Sequence, residues 1–384
     1  MKTLPAPALV THPRQLGELA RSLRKQPIVA VDTESNSLFA YRERVCLIQF
    51  SIPSVDYLVD PLAIGDLSPL GPLFASPDVE KVFHAAEYDL LVMKRDFGFS
   101  FANLFDTMVA ARILGRDKVG LGNLLEDEFG VRLEKKFQKR DWGKRPLSQA
   151  MLNYARMDTH FLIRLRDVLE GELKKVHRWA LAVEDFQRLC HLDGNGPAPK
   201  PTDIWQMNGA RYLTPQQATI LNLLAEYRRG RAEKTDKPLF KVIGDRTLVE
   251  IAARQPQSAK ELGKINGMTD NQVRQHGKAI LAAVRRGAEI APIRPPKRVR
   301  LSQDYVNRLE ALKDWRKRAA HEMGVESDVV LPRDLMVEIA RKAPPNLKSL
   351  SVIMQGTPWR LERFGGKIQA LLAQLNTPGE LRSS

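Results

Sequence analysis

The second half of the chain repeats itself. EYRRGRA at 226–232 matches DWRKRAA at 314–320, and LVEIAAR at 248–254 matches MVEIARK at 336–342, both displaced by 88 residues. Pro256 pairs with Pro344 at the same displacement, whereas Gly267 and Lys278 pair with Gly356 and Lys367 at 89, the slip of a one-residue loop insertion. A period this long exceeds that of solenoid repeats and indicates two copies of a small domain. Apolar residues recur at helical spacing throughout this half, so both copies are expected to be all-α. A chain of 384 residues then has room for a further domain in its first half.

That first half reads differently. PIVAVDT, ERVCLIQFS, VDYLVD and VEKVFHA are short and rich in apolar and β-branched residues, with NLFD as a shorter fifth strand. Helical patterns follow in YDLLVMKRDF, TMVAARIL, LGNLLEDEFG and the long run LSQAMLNYARMDTHFLIRLRDVLEGELKK. Strands first and helices gathering later predict an α/β domain with a mixed sheet flanked by helices, followed by all-α domains. Clustered Gly and Pro in DGNGPAPKPTD mark a linker, and APIRPPKRVR reads as a basic connector between the two repeats. The expected boundaries are 1–192 for the α/β domain, 193–211 for the linker, 212–290 and 303–378 for the helical domains, and 291–302 for the connector.

Charge divides along the same line. Residues 1–190 hold 27 basic and 25 acidic side chains, and the remainder hold 33 basic against 20 acidic, so most of the net +15 lies in the helical half. A near-neutral domain joined to basic modules suits a catalyst carried on a polyanion-binding frame. Arg228-Arg229-Arg231, Arg285-Arg286, Lys297-Arg298-Arg300 and Arg316-Lys317-Arg318 are candidate phosphate contacts. Tyr227 and Trp315, at matching repeat positions beside two of these clusters, read first as core residues of each copy. No apolar run approaches 18 residues, and MKTLPAPALVTHPRQ is a poor secretory signal, so no membrane association is expected. Cys46 and Cys190 are too few for a disulfide framework or a cysteine zinc site, which favours a cytoplasmic setting.

The chemistry lies in the α/β half. Asp32 and Glu34 follow the apolar run IVAV, and residues i and i+2 of a strand share a face. Two acids on one face at the end of a buried strand are costly unless a cation compensates them. Asp89 opens the helix after KVFHA, where an acid also suits the helix dipole. Tyr154 and Asp158 are four apart on one helical face. Each piece alone is ordinary. Gathered from three segments, such carboxylates make a site for two Mg²⁺ or Mn²⁺ ions, a known device for attacking a phosphodiester.

The order Asp-x-Glu, Asp, Tyr-x-x-x-Asp resembles the DEDDy branch of 3′→5′ exonucleases, whose sheet is ribonuclease H-like. His84 five residues before Asp89, Phe105-Asp106-Thr107, and Lys135-x-x-Gln138-x-x-Asp141-Trp142-x-x-Arg145-Pro146-Leu147 extend the likeness to the ribonuclease D family. The helical copies are similar to the helicase-and-RNase-D C-terminal (HRDC) domains that accompany this nuclease, the second copy being the more diverged. The resemblance implies that Asp32, Glu34, Asp89 and Asp158 hold two divalent metal ions and that Tyr154 orients the attacking water. It also implies RNA as partner, tRNA precursors among the substrates, release of nucleoside 5′-monophosphates from a 3′-OH end, and a monomer. His84, Asp106, Asp141 and Trp142 are read as structural. Two alternatives stand beside this reading: the same chemistry on DNA, and an inactive nucleic-acid-binding protein on the same scaffold.

Overall fold

The computed structural model describes residues 5–192, 203–296 and 300–376. Most of the expected linker and the Lys297-Arg298 pair lie outside the described residues. The chain divides into two compact units: Met1–Glu34, Val45–Asn195 and Arg300–Ser384 form one, and Ser35–Arg44 with Gly196–Val299 form the other.

The first unit is built on a six-stranded sheet. Its strands are β1 (Ala8–Val10), β2 (Ile28–Ser35), β3 (Val45–Ile52), β4 (Val55–Val59), β5 (Glu80–Phe83) and β6 (Leu104–Asp106), arranged β1-β4-β3-β2-β5-β6. β3 and β4 pair antiparallel, while β1–β4, β2–β5 and β5–β6 are parallel, so the sheet is mixed. β3 is buried along nearly its whole length, Gln49 and Ser51 included, as suits a strand covered on both faces. β1 has only three residues and escapes a reading from periodicity; it is recruited by pairing Ala8 with Tyr57.

Helices Glu87–Phe97, Thr107–Leu114 and Leu121–Phe129 form where their periodicity places them. Each ends at a glycine with positive φ, Gly98, Gly115 and Gly130, which leaves the left-handed turn free of Cβ strain. The long run at 147–175 is two helices, Gln149–His160 and Leu162–Lys175, parted at Phe161. At the junction Phe161 adopts φ −100° and ψ −4°, outside the ideal helical well. A further helix, Trp179–Cys190, packs Phe186 against Phe105 of β6 with ring centroids 4.7 Å apart.

The helical copies are alike in detail. Pro215–Thr235, Leu239–Val242 and Asp245–Arg254 recur 88 residues later as Gln303–Met323, Ser327–Val330 and Arg333–Lys342. Arg228 donates from Nη1 to the Ile243 carbonyl, and Arg316 does the same to Leu331, each at 2.9 Å. Arg228 is buried and also pairs with Asp245. Arg228 and Arg316 are therefore internal ties of their modules rather than phosphate contacts, a correction to the charge reading. Their exposed neighbours Arg231, Lys317 and Arg318 keep that possibility. Trp315 is buried, and Tyr227 donates or accepts a hydrogen bond with His276 Nδ1 at 2.8 Å, so both aromatics serve their module's interior.

Within the first unit the second copy is locked onto the catalytic half by a buried ion pair. Arg360 is fully buried and pairs with Glu184 and Asp185 of the Trp179–Cys190 helix. Glu184 also accepts the backbone N–H groups of Trp359 and Arg360, and the Arg360 Nη2 group donates to the Val329 carbonyl at 2.8 Å. Burial nevertheless wins at Glu184 and holds its carboxyl above the usual range, although Arg360 and those N–H groups pull the other way. Nearby, a Cβ on Gly115 would stand 2.1 Å from the Gly324 carbonyl oxygen, so the two backbones meet where only glycine fits. Arg360→Ala leaves Glu184 buried without its partner, and a loss of about 3–5 kcal/mol in unfolding free energy is expected by denaturant titration. An unchanged midpoint would show that this ion pair does not hold the module in place.

Candidate active site

β2 supplies the first two acids. Val29, Ala30 and Val31 are fully buried, and the strand then emerges through half-buried Asp32, Thr33 and Glu34. Asp89 sits in the first turn of the Glu87–Phe97 helix, buried, with its carboxylate accepting from the Thr33 hydroxyl. Tyr154 and Asp158 lie one turn apart on the Gln149–His160 helix. The back of that helix is fastened to the sheet: Thr159 meets Ser51 of β3 at 2.7 Å, and Arg156 and His160 both bind Asp56 of β4. Burial works against the Asp56 charge, but hydrogen bonds from His160 and Ser51 and the charges of His160 and Arg156 outweigh it and lower its pKa.

The acids from the three segments share one electrostatic environment. Burial raises Asp32 well above the ordinary aspartate range, and the charges of Asp89, Asp158 and Glu34 raise it further. Glu34 is pushed up to about 9 by burial and then by Asp158 and Asp89. Asp89 and Asp158 rise to about 7, each chiefly through burial, with the Thr33 hydrogen bond opposing the rise at Asp89. Tyr154 belongs to the same set, since burial and the charges of Asp158, Glu34 and Asp32 push its phenol well above 10, which keeps the hydroxyl protonated. Its ring is held between Phe137 and Trp142, with centroids 5.7 and 6.1 Å away, and Gln138 hydrogen bonds the hydroxyl.

Asp32, Tyr154 and Asp158 line an open cleft of about 540 Å³, together with His84 and Gln138. Gly120 to Asn123 and Arg132 also line the cleft, and the sequence gives them little prominence. The only signal there is the glycine pair Gly120 and Gly122 flanking a helix start. Asp106 and Trp142 are structural as read. The Asp106 carboxylate accepts from Ala85, Ala86, Met108 and Val109 and caps the Thr107–Leu114 helix, while Trp142 is buried.

The donor set suits a hard divalent cation, being all carboxylate oxygen and costly to ionise without one. Among the described residues, however, no three His, Cys, Asp or Glu side chains converge closely enough to grip an ion. One Asp89 oxygen is engaged by the Thr33 hydroxyl.

A mixed sheet with carboxylates on β2 and on two following helices defines the class of 3′–5′ exonucleases, and residues 7–174 match the family model described as a 3′-5′ exonuclease. Residues 217–284 and 306–372 each match the HRDC domain. The chain is 30% identical over 365 residues to ribonuclease D of Sphingobium indicum, covering 93% of this chain and 92% of that one. It is 34% identical to ribonuclease D of Gluconacetobacter diazotrophicus over 73% of this chain and 72% of the relative. Escherichia coli RNase D superposes with a TM-score of 0.71 at 25% identity, covering 98% of this chain and all of that one. The chain belongs to the ribonuclease D family.

The raised carboxyls make a pH prediction. Their folded-state pKa values exceed the unfolded ones, so with a chelator present the folded protein binds more protons across roughly pH 4 to 9. Stability should fall relative to Asp32→Asn as pH rises through that window, because the variant removes one repelling charge. Parallel melting-temperature curves for the two proteins would contradict the shared environment.

Proposed function

We propose that this protein hydrolyses RNA from a free 3′-OH end with two divalent ions, Mg²⁺ or Mn²⁺, releasing nucleoside 5′-monophosphates. The observation that carries the proposal is the shared electrostatic environment of four acids from three segments with Tyr154, of which Asp32, Tyr154 and Asp158 line one open cleft. Asp32, Glu34, Asp89 and Asp158 would hold the ions, which when bound clamp the scissile phosphate and make water a better nucleophile. Tyr154 stays protonated and is held by ring packing, so its hydroxyl can orient the attacking water. Water oxygen bonds to phosphorus and the P–O3′ bond breaks; the freed O3′ takes up a proton to become the new 3′-OH of the shortened chain, and the phosphate leaves on the 5′ carbon of the released nucleotide. No covalent enzyme intermediate is required.

Family membership supports RNA as the substrate class. The Escherichia coli relative is an exoribonuclease involved in structured RNA processing. By analogy we assign this chain to the 3′ trimming of structured RNA such as tRNA precursors, acting as a cytoplasmic monomer. Among the described residues no helix is long and apolar enough to cross a membrane. Exposed arginines of the first helical module, Arg231, Arg285 and Arg286, are suited to backbone phosphates.

The deciding assay uses 5′-labelled RNA and DNA, each with 3′-OH or 3′-phosphate ends, with Mg²⁺ or with a chelator. A metal-dependent ladder on RNA, blocked by the 3′-phosphate, is expected; degradation of DNA alone would favour the repair-type alternative. Asp158→Ala should abolish cleavage while RNA binding persists in a filter assay, and retained turnover would refute the role given to it. Tyr154→Phe should slow single-turnover cleavage by roughly 10²-fold, the size of losing one oriented catalytic group. An undiminished rate would remove Tyr154 from the mechanism.

A further inference from the structure

His84 is a cleft residue that the proposed mechanism does not use. The parallel register of β2 and β5 pairs Ile28 with Glu80, Val29 with Lys81 and Ala30 with Val82. His84 follows the last residue of β5, Phe83, and Asp32 lies two residues beyond the last of these pairs on β2. Both line the same cleft. The imidazole therefore faces the same cleft as the acid on which the proposed chemistry centres.

Its protonation is decided by a chain of hydrogen bonds. Thr107 is fully buried and donates its hydroxyl to the Phe83 carbonyl at 3.1 Å. A hydroxyl has one proton, so at its 2.9 Å contact with His84 Nδ1 the Thr107 oxygen accepts, and Nδ1 must carry the hydrogen. Burial lowers the His84 pKa against the opposing charge of Asp106, which favours the neutral ring. Nε2 is then a lone-pair acceptor on a ring that lines the cleft. A neutral acceptor cannot hold a phosphate, and it needs a donor from the substrate. Base amino groups differ from base to base, whereas the ribose hydroxyls are present at every 3′ end.

We propose that His84, as the Nδ1–H tautomer, accepts through Nε2 a hydrogen bond from a hydroxyl of the 3′-terminal ribose and so sets substrate specificity. The proposal rests on the exonuclease reading above. It is tested with oligonucleotides of one sequence whose last nucleotide is ribo, 2′-deoxy or 3′-deoxy. The wild-type protein should lose roughly tenfold in kcat/KM when the contacted hydroxyl is removed, the size of one lost hydrogen bond to a buried partner. His84→Ala should lose a similar factor on the ribo substrate and nothing further on the deoxy one. The hydroxyl whose removal ceases to matter identifies the contact: the 2′ position would make His84 a discriminator of RNA from DNA, the 3′ position a reader of the chain end.

Equal proportional losses on all three substrates would reduce His84 to a packing residue and overturn the proposal. So would undiminished hydroxyl sensitivity in the variant. Should His84→Ala fail to fold, the wild-type imidazole ¹⁵N spectrum decides instead. It should show a protonated Nδ1 and an unprotonated Nε2, with that preference lost in Thr107→Val, and the opposite tautomer in the wild type would sink the idea. A wild-type protein inactive on RNA would remove the exonuclease reading itself; activity on RNA with the wrong tautomer would remove only the assignment to His84.

Discussion

Carboxylate repulsion governs this molecule. Asp32, Glu34, Asp89 and Asp158 are brought into one partly dry environment, where burial and neighbouring charge both oppose ionisation. A fold gains no stability from such an arrangement, so the rest of the domain must impose it. β2 carries two of the acids just past its buried apolar half, Val29 to Val31. The Gln149–His160 helix holds Asp158 in place because its rear face is tied to Asp56 and Ser51 of the neighbouring strands. The Glu87–Phe97 helix follows β5 through a turn whose N–H groups are satisfied by Asp106. These supports are paired ions, capped turns and packed rings, and they lie one layer behind the cleft.

The same economy of ties governs the helical modules. Equivalent arginines at 228 and 316 turn inward and bind equivalent carbonyls, so part of the positive charge that the composition suggests for RNA is spent on folding. The second module is further committed, since Arg360 enters the catalytic half and is wholly desolvated against Glu184 and Asp185. An ion pair in that setting is a weak source of net stability but a strong penalty against misplacement. It selects one seat for the second module within its unit. The first module, in the other unit, has a separate core around Leu221, Leu224, Ile251 and Ile280.

How far the sequence could be read follows from the range of the forces involved. The strands, most helices and the 88-residue repeat were legible because they depend on local periodicity and capping. The acids were legible as a pattern, through their residue type and their place on strand ends and helix faces. The break at Phe161 and the three-residue β1 were not, because a mid-segment kink and an edge strand exist only through what packs beside them. The inward turn of Arg228 was equally hidden, since an arginine cluster looks the same whether it faces water or a carbonyl.

Sequence alone determined which side chains are available, on which elements they lie, and that two helical copies follow one α/β domain. Tertiary structure decided their chemical state. The raised carboxyls, the protonated Tyr154 hydroxyl, the His84 tautomer set by Thr107 and Phe83, and the burial of Arg360 all arise between segments tens to hundreds of residues apart. Desolvation and charge depend on the neighbours that folding supplies, and these are not written in the spacing of any one segment.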